Sequence, residues 1–144
     1  MVQGKTMDTN NVLGFILYKT QRKLQNALHQ QFKEYDITPE QWGMLKCLVD
    51  NEGVAPTELA EILLKDKPNT TRIAEKLKKK GLVTYQASMV DKRSYLIFIT
   101  EKGIQLLAQV LPISMSLTQQ AAQGISAEQV EELKMLLCKI YHNL

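Results

Sequence analysis

Charge is concentrated in one stretch of this 144-residue chain, Lys65 to Lys80, which reads K-D-K-P-N-T-T-R-I-A-E-K-L-K-K-K. Seven basic side chains stand there against Asp66 and Glu75, a net +5, whereas the whole protein carries +3 and everything outside the stretch therefore sums to −2. On a helical wheel Thr70, Ile73, Ala74 and Leu77 share one side, while Pro68, Arg72, Glu75, Lys76 and Lys79 face away from it. A helix with an apolar back and a basic front suits the major groove of DNA, where phosphates attract cations and flank base edges that accept hydrogen bonds. The competing reading of the stretch alone is a solvated, lysine-rich surface helix.

Within it, Arg72 is the candidate for a guanine edge, because its planar fork offers two parallel donors. Lys76 and Lys79 are candidates for phosphates. Asn69 and Thr71, near the helix start, can either touch bases or serve the turn. Lys65 and Lys67 precede the helix and are assigned to the DNA backbone, and Lys78 to Lys80 read in part as snorkelling solubility residues.

The neighbouring elements say how such a helix would be held. Pro56 opens a short helix with Leu59, Ala60, Ile62 and Leu63 at helical spacing, and Leu64 to Lys67 leaves room only for a tight turn. Two short helices joined this closely make a helix-turn-helix, with the second placed to read DNA. Gly81 follows as a left-handed cap. The period then changes: Val83–Ala87 and Tyr95–Ile99 are β-prone runs joined by residues 88–94, whose tip holds Asp91, Lys92 and Arg93. A hairpin directly after a helix-turn-helix is a wing. Arg93 at its tip suits a narrow, electronegative minor groove; Asp91 repels phosphate and is expected to orient Arg93 or another arginine. A mobile surface loop with an ordinary turn aspartate is the alternative for this tip.

Upstream, a long helix is expected from about Asn10 to Tyr35, after a frayed end over residues 1–9. Its first half (Val12, Leu13, Phe15, Ile16, Leu17, Tyr18) is apolar on more sides than one core face requires, which points to burial against a second body. Thr38-Pro39-Glu40-Gln41 is a capping box with proline at the first helical position, and Trp42, Leu45 and Val49 then form an inward face. Val54 is placed to add one strand pairing. Downstream, Thr100 caps a helix running from Glu101 into residues 119–123, with a bend or break expected at Pro112. Ser126-Ala127-Glu128-Gln129 is a second capping box, opening a last helix to about His142. Val130, Leu133, Leu137, Ile140 and Leu144 step through that helix in threes and fours, a seam for helix–helix docking; packing within the monomer is the other possibility.

Composition places few limits beyond these. At this length, with 44% hydrophobic and 23% charged residues, one globular domain is expected. Cys47 and Cys138 fit neither a disulfide framework nor a zinc pattern, and His29 and His142 have no metal-ligand spacing. No apolar signal core or membrane-length run is present, so a cytoplasmic protein is expected. Neither a glycine-rich phosphate loop nor a nucleophile elbow appears, so no enzyme and no cofactor is expected.

D-K-R-S-Y-L-I-F-I-T from Asp91 to Thr100, T-E-L-A-E-I-L at residues 57–63, T-R at Thr71–Arg72 and K-K-K-G-L-V at residues 78–83 together resemble the MarR family of bacterial winged-helix transcription regulators. That family's wing motif, Asp-x-Arg followed after five residues by Leu-Thr, is met by Asp91, Arg93, Ile99 and Thr100, with isoleucine in place of leucine. The resemblance covers roughly residues 10 to 142. It implies a mostly α fold with a small β-wing: a winged helix-turn-helix of six helices in a single domain, 1–144, with residues 38–100 as the DNA-binding lobe and residues 10–35 and 101–144 as the dimerisation helices. It implies a homodimer on a pseudo-palindromic operator, more often a repressor than an activator, and in many members release by a small aromatic effector. Leu13, Leu17, Val130, Leu133, Leu137 and Ile140 are the candidate dimer interface. Phe15, Tyr18, Trp42 and Met44 are the candidate effector pocket, although aromatic residues at helical spacing also make plain core. Two alternatives stay open at this point: a winged-helix protein-interaction module without DNA binding, and a thiol-based redox-sensing regulator using Cys47.

Overall fold

The computed structural model describes residues 12–91 and 93–144; the expected frayed end at residues 1–9, the first residues of the first helix and Lys92 lie outside these. Six helices and one hairpin follow in the expected order: α1 (Leu13–Phe32), a single 3-10 turn (Lys33–Tyr35), α2 (Pro39–Asp50), α3 (Pro56–Leu63), α4 (Lys67–Lys79), β1 (Val83–Ala87), β2 (Tyr95–Ile99), α5 (Glu101–Ala121) and α6 (Ala127–Asn143). This is a winged helix-turn-helix.

Local chemistry sets most of the boundaries. Thr38 Oγ1 accepts from Gln41 N at 3.1 Å while Gln41 Oε1 accepts from Thr38 N at 3.2 Å, and Ser126 and Gln129 repeat this reciprocal arrangement at the start of α6. Thr100 caps α5 by accepting from Gly103 N at 3.1 Å. Gly81 takes φ +74°, which ends α4 and turns the chain into β1. The turn between α3 and α4 is made without glycine: Leu64 itself sits in the left-handed region at φ +54°, at a cost of about 1–2 kcal/mol for a side chain with a Cβ. Hydrogen bonds from Leu64 N to Glu61 O and from Lys65 N to Ala60 O hold it there.

The core lies in the lobe. Phe32 from the end of α1, Met44 and Leu45 from α2, Leu59 from α3, Leu77 from α4, Ile97 from β2 and Val110 from α5 are all fully enclosed. The strands pair antiparallel with Val83 opposite Ile99 and Ala87 opposite Tyr95, and Val54 adds the single bridge to Ile97. At Gly103 an added Cβ would press into the Leu82 carbonyl, so glycine is what lets the start of α5 seat against the chain entering the hairpin.

Two expectations need correction, and α3 adds a detail. α5 continues through Pro112 without a break. Pro112 and Ala108, whose carbonyl loses its partner, both lie on the exposed side of the helix, where water can take that bond. On α2 the buried apolar face is Met44, Leu45, Cys47 and Leu48, whereas Val49 is exposed and Trp42 half-buried. On α3, Leu59 and Ala60 are buried but Ile62 faces outward.

Candidate nucleic-acid interface

Asp66 caps the start of α4, a role that the sequence patterning did not single out. Its Oδ1 accepts from Asn69 N at 2.7 Å, and Pro68 follows within the first turn. An aspartate two residues before a proline, ahead of an amphipathic run, is a signal that could have identified it. Thr70, Ile73, Ala74 and Leu77 are buried against the lobe, so the orientation of the helix is fixed by its back. Lys67, Arg72, Glu75, Lys76, Lys78 and Lys79 are exposed, with Asn69 and Thr71 at the margin. The lysines of the last turn also suit the partial negative charge at a helix C-terminus.

Arg72 does not float. Its Nη2 donates to Asn69 Oδ1, which aims the guanidinium along the exposed face and assigns Asn69 a positioning contact. Lys78 is not simply a solubility residue, since its ammonium lies 4.3 Å from the centroid of the Tyr85 ring, which stacks on Tyr95 at 4.6 Å. Burial, and after it the nearby Glu75 carboxylate, push the Tyr85 phenol above its ordinary range, so it stays protonated at neutral pH. Through Lys78, the ring pair thus ties the middle of the hairpin to α4. Lys80 is half-buried and bonded to Asp36 and Gln41, and Lys65 Nζ lies 3.5 Å from Glu40 Oε1.

The wing tip has its own internal bonds. Ser88 N donates to Ser94 O at 3.1 Å, Ser94 N donates to Asp91 O at 3.0 Å, and Val90 N and Asp91 N both reach Ser88 Oγ at 3.3 Å. Asp91 acts on the backbone of Arg93: its Oδ1 accepts from Arg93 N at 2.9 Å. The carboxylate therefore shapes the turn that presents the exposed arginine. Thr100, at the end of the motif, donates from Oγ1 to Gly81 O at 2.7 Å, which ties the exit of the hairpin to the end of α4.

The four aromatic and thioether candidates for an effector pocket are dispersed. Met44 has no exposed surface, Phe15 and Tyr18 stack on one another on the exposed part of α1 at 6.1 Å, and Trp42 packs on Phe32 at 5.8 Å. Trp42 borders a cleft of about 420 Å³ with Lys46 from α2, Leu111, Ser114, Met115 and Thr118 from α5, and Val130 from α6. Of the interface candidates, Leu13, Leu133 and Leu137 are exposed and Leu17, Val130 and Ile140 half-buried. Cys47 is buried, and that burial, reinforced by Asp50, pushes its thiol up, opposite to what a redox-sensing thiolate needs. Cys138, by contrast, is exposed on α6. Among the described residues no cluster of three or more His, Cys, Asp or Glu is arranged for a metal, and no helix is long and apolar enough to cross a membrane.

The model of the MarR family matches residues 35–94, the span from the end of α1 to the wing tip. A regulatory protein for the hcr operon of Thauera aromatica is 29% identical over 134 residues, covering 90% of this chain and 78% of that protein. The organic hydroperoxide resistance transcriptional regulator of Bacillus subtilis is 28% identical over 135 residues, covering 94% and 88%. Among solved structures, a cysteine-to-serine mutant of MarR from Escherichia coli complexed with operator DNA superposes with a TM-score of 0.82 at 27% identity, covering 89% of this chain and 92% of that one. The segment from residue 35 to the wing thus matches the MarR family, and nearly the whole chain is similar in sequence and fold to transcription regulators, one of them solved on operator DNA.

Proposed function

We propose that this regulator is a homodimeric repressor that binds a pseudo-palindromic operator through α4 and the wing of each subunit, and that a small aromatic molecule releases it. The observation that carries the reading is the division of α4 between a buried back of Thr70, Ile73, Ala74 and Leu77 and an exposed front bearing Arg72, Lys76 and Lys79. A helix so held, beside a hairpin that offers Arg93, is complementary to a groove and its flanking phosphates. Arg72 is assigned to a base edge, with Asn69 and Thr71 at the margin of the contact, and Lys67, Lys76 and Lys79 to phosphates. Arg93, flanked by Lys92 in the sequence and oriented by Asp91, is assigned to the minor groove.

Pairing is supported by α6, all of whose side chains remain at least partly accessible in the single chain, and by the exposed apolar start of α1. Leu133 alone is 49% exposed, and covering that seam with a second copy recovers roughly 25 cal/mol for each Å² of apolar surface removed from water. Two rigidly joined lobes can set their α4 helices about 34–36 Å apart, one helical turn of DNA. Occupancy of an operator by such a dimer excludes polymerase, which is why repression is the reading. The cleft at Trp42 supports an effector: it lies where α2 of the lobe meets α5 and α6, and it combines an indole and an ammonium with apolar walls.

Fluorescence anisotropy with duplexes recovered from a random-sequence pool, repeated across salt concentrations, tests the DNA reading. Tight, selective binding with a steep salt slope is expected. An affinity that ignores both salt and sequence would leave only a protein-interaction module. Sedimentation velocity tests the dimer, and a monomer at micromolar concentration would overturn it.

A further inference from the structure

Two lysines of the basic stretch are turned away from the exposed front of α4 and bracket the helix. Lys65, immediately before it, lies 3.5 Å from Glu40 Oε1. Lys80, immediately after it, donates to the Asp36 carbonyl and to Gln41 Oε1 at 3.2 Å, and lies 3.6 Å from Asp36 Oδ2. Both therefore reach residues 36–41, the short segment that leads out of α1 into α2. Gln41 is itself buried, and its Oε1 already accepts from Thr38 N, so Lys80 joins a bonded corner whose geometry is set. Asp36 holds that corner in the left-handed region at φ +51°. From the other side, Lys102 Nζ of α5 donates to the Lys80 carbonyl at 2.9 Å, and Thr100 Oγ1 donates to the Gly81 carbonyl. The C-terminal end of α4 is thus fastened both to the exit of α1 and to the start of α5.

We infer that Lys80, assisted by Lys65, is a positioning residue that sets the angle of α4 against the terminal helices and hence the half-site spacing the dimer accepts. This inference rests on the reading of the chain as a DNA-binding dimer. The physical argument is one of competition for an ammonium group. A lysine whose ammonium already donates to the Asp36 carbonyl and the Gln41 amide oxygen, beside the Asp36 carboxylate, is held away from phosphates and releases fewer counterions when DNA arrives than exposed Lys76 and Lys79 do. Half-site spacing follows from the rigid separation of the two α4 helices. Loosening the fastening at Lys80 lets each α4 rock, which lowers affinity for the preferred spacing and blurs discrimination against others.

The test uses the full chain and a duplex that the wild-type protein selects from a random-sequence pool, together with the same duplex lengthened or shortened by one base pair between half-sites. Lys80→Met is expected to weaken binding to the preferred spacing by about tenfold. It should bring the affinities for the three duplexes closer together and leave the slope of log affinity against log salt unchanged. Lys80→Arg should restore the discrimination. Lys76→Ala, as the contrast, should reduce the slope by about 0.9 for each phosphate that is no longer neutralised and leave spacing preference intact. If Lys80→Met behaves as Lys76→Ala does, Lys80 is a phosphate contact and the inference fails. Asp36→Asn keeps the inference open to refutation even if the Lys80 variants fold poorly. A carboxylate removed from a DNA-contacting surface would leave affinity unchanged or raise it, which counts against the inference; reduced spacing discrimination supports it. Failure of the wild-type protein to select any duplex would instead refute the DNA reading itself.

Discussion

In α4, Ile73, Ala74 and Leu77 are all buried and the charged side chains are turned outward; in α6, Leu133, Met135, Leu136 and Leu137 are all exposed and no side chain is buried. Both helices are amphipathic, and both begin with a side-chain cap. They differ in what lies opposite the apolar face. The lobe closes around α4 with α2, α3 and the hairpin, so its polar face is free to meet a ligand. Within one chain α6 has no comparable cover, so its apolar face is the one left to make contact. The first arrangement is a finished core with a charged outer face, and the second is an apolar face that the proposed second copy would cover.

Replacing an enclosed core residue should sharpen this contrast most. Leu77→Ala is expected to cost about 2–5 kcal/mol, read as a lower urea midpoint at every protein concentration. Leu133→Glu combined with Leu137→Glu should instead weaken subunit association by about 2 kcal/mol or more, read as a shift toward monomer in sedimentation velocity with the helical circular dichroism retained. A loss of stability without any change in mass would mean that α6 packs on its own chain, and the comparison would break. Arg72→Ala should cost about 1–3 kcal/mol and relax preference at one base pair per half-site; an equal loss on every sequence would make Arg72 a phosphate contact. Arg93→Ala should cost about 1 kcal/mol with the dimer intact, and unchanged anisotropy would contradict the wing assignment.

The smallest effect concerns the two thiols. Burial raises the Cys47 thiol, so the folded chain keeps that proton to higher pH than the unfolded chain does. The linked stability is intact below the free-thiol range of about 8.5 and declines as pH rises above it. In the folded protein at neutral pH, Cys47 should react with a disulfide reagent more slowly than exposed Cys138, with the difference abolished in denaturant. Faster reaction at Cys47 would revive the thiol-sensor reading.

Much of this molecule was legible because its determinants are close in sequence. The two capping boxes, the left-handed Gly81, the hairpin runs and the division of α4 each depend on residues within about one or two turns of each other. Asp91 shows where this stops: its proximity to Arg93 was readable, but its choice of the backbone amide over the guanidinium depends on the shape of the turn. Val49, placed inward by periodicity, lies outside because α2 rotates to seat Met44 and Leu48 in the core. The unbroken course of α5 through Pro112 depends on which side of the helix meets water.

Composition and spacing were enough to determine six helices, a wing, and a cationic helix face with an arginine at the hairpin tip. They were enough because a helix or hairpin follows from near-neighbour sterics and the periodicity of burial. Which lysines stand exposed on α4 and which bond to residues 36–41 was decided only by tertiary structure. Lys65 and Lys80 look like their neighbours in sequence, and the oxygens that claim Lys80 belong to residues 39 and 44 positions away. An ammonium group goes to whichever acceptors folding brings within its reach, and no local pattern records that distance.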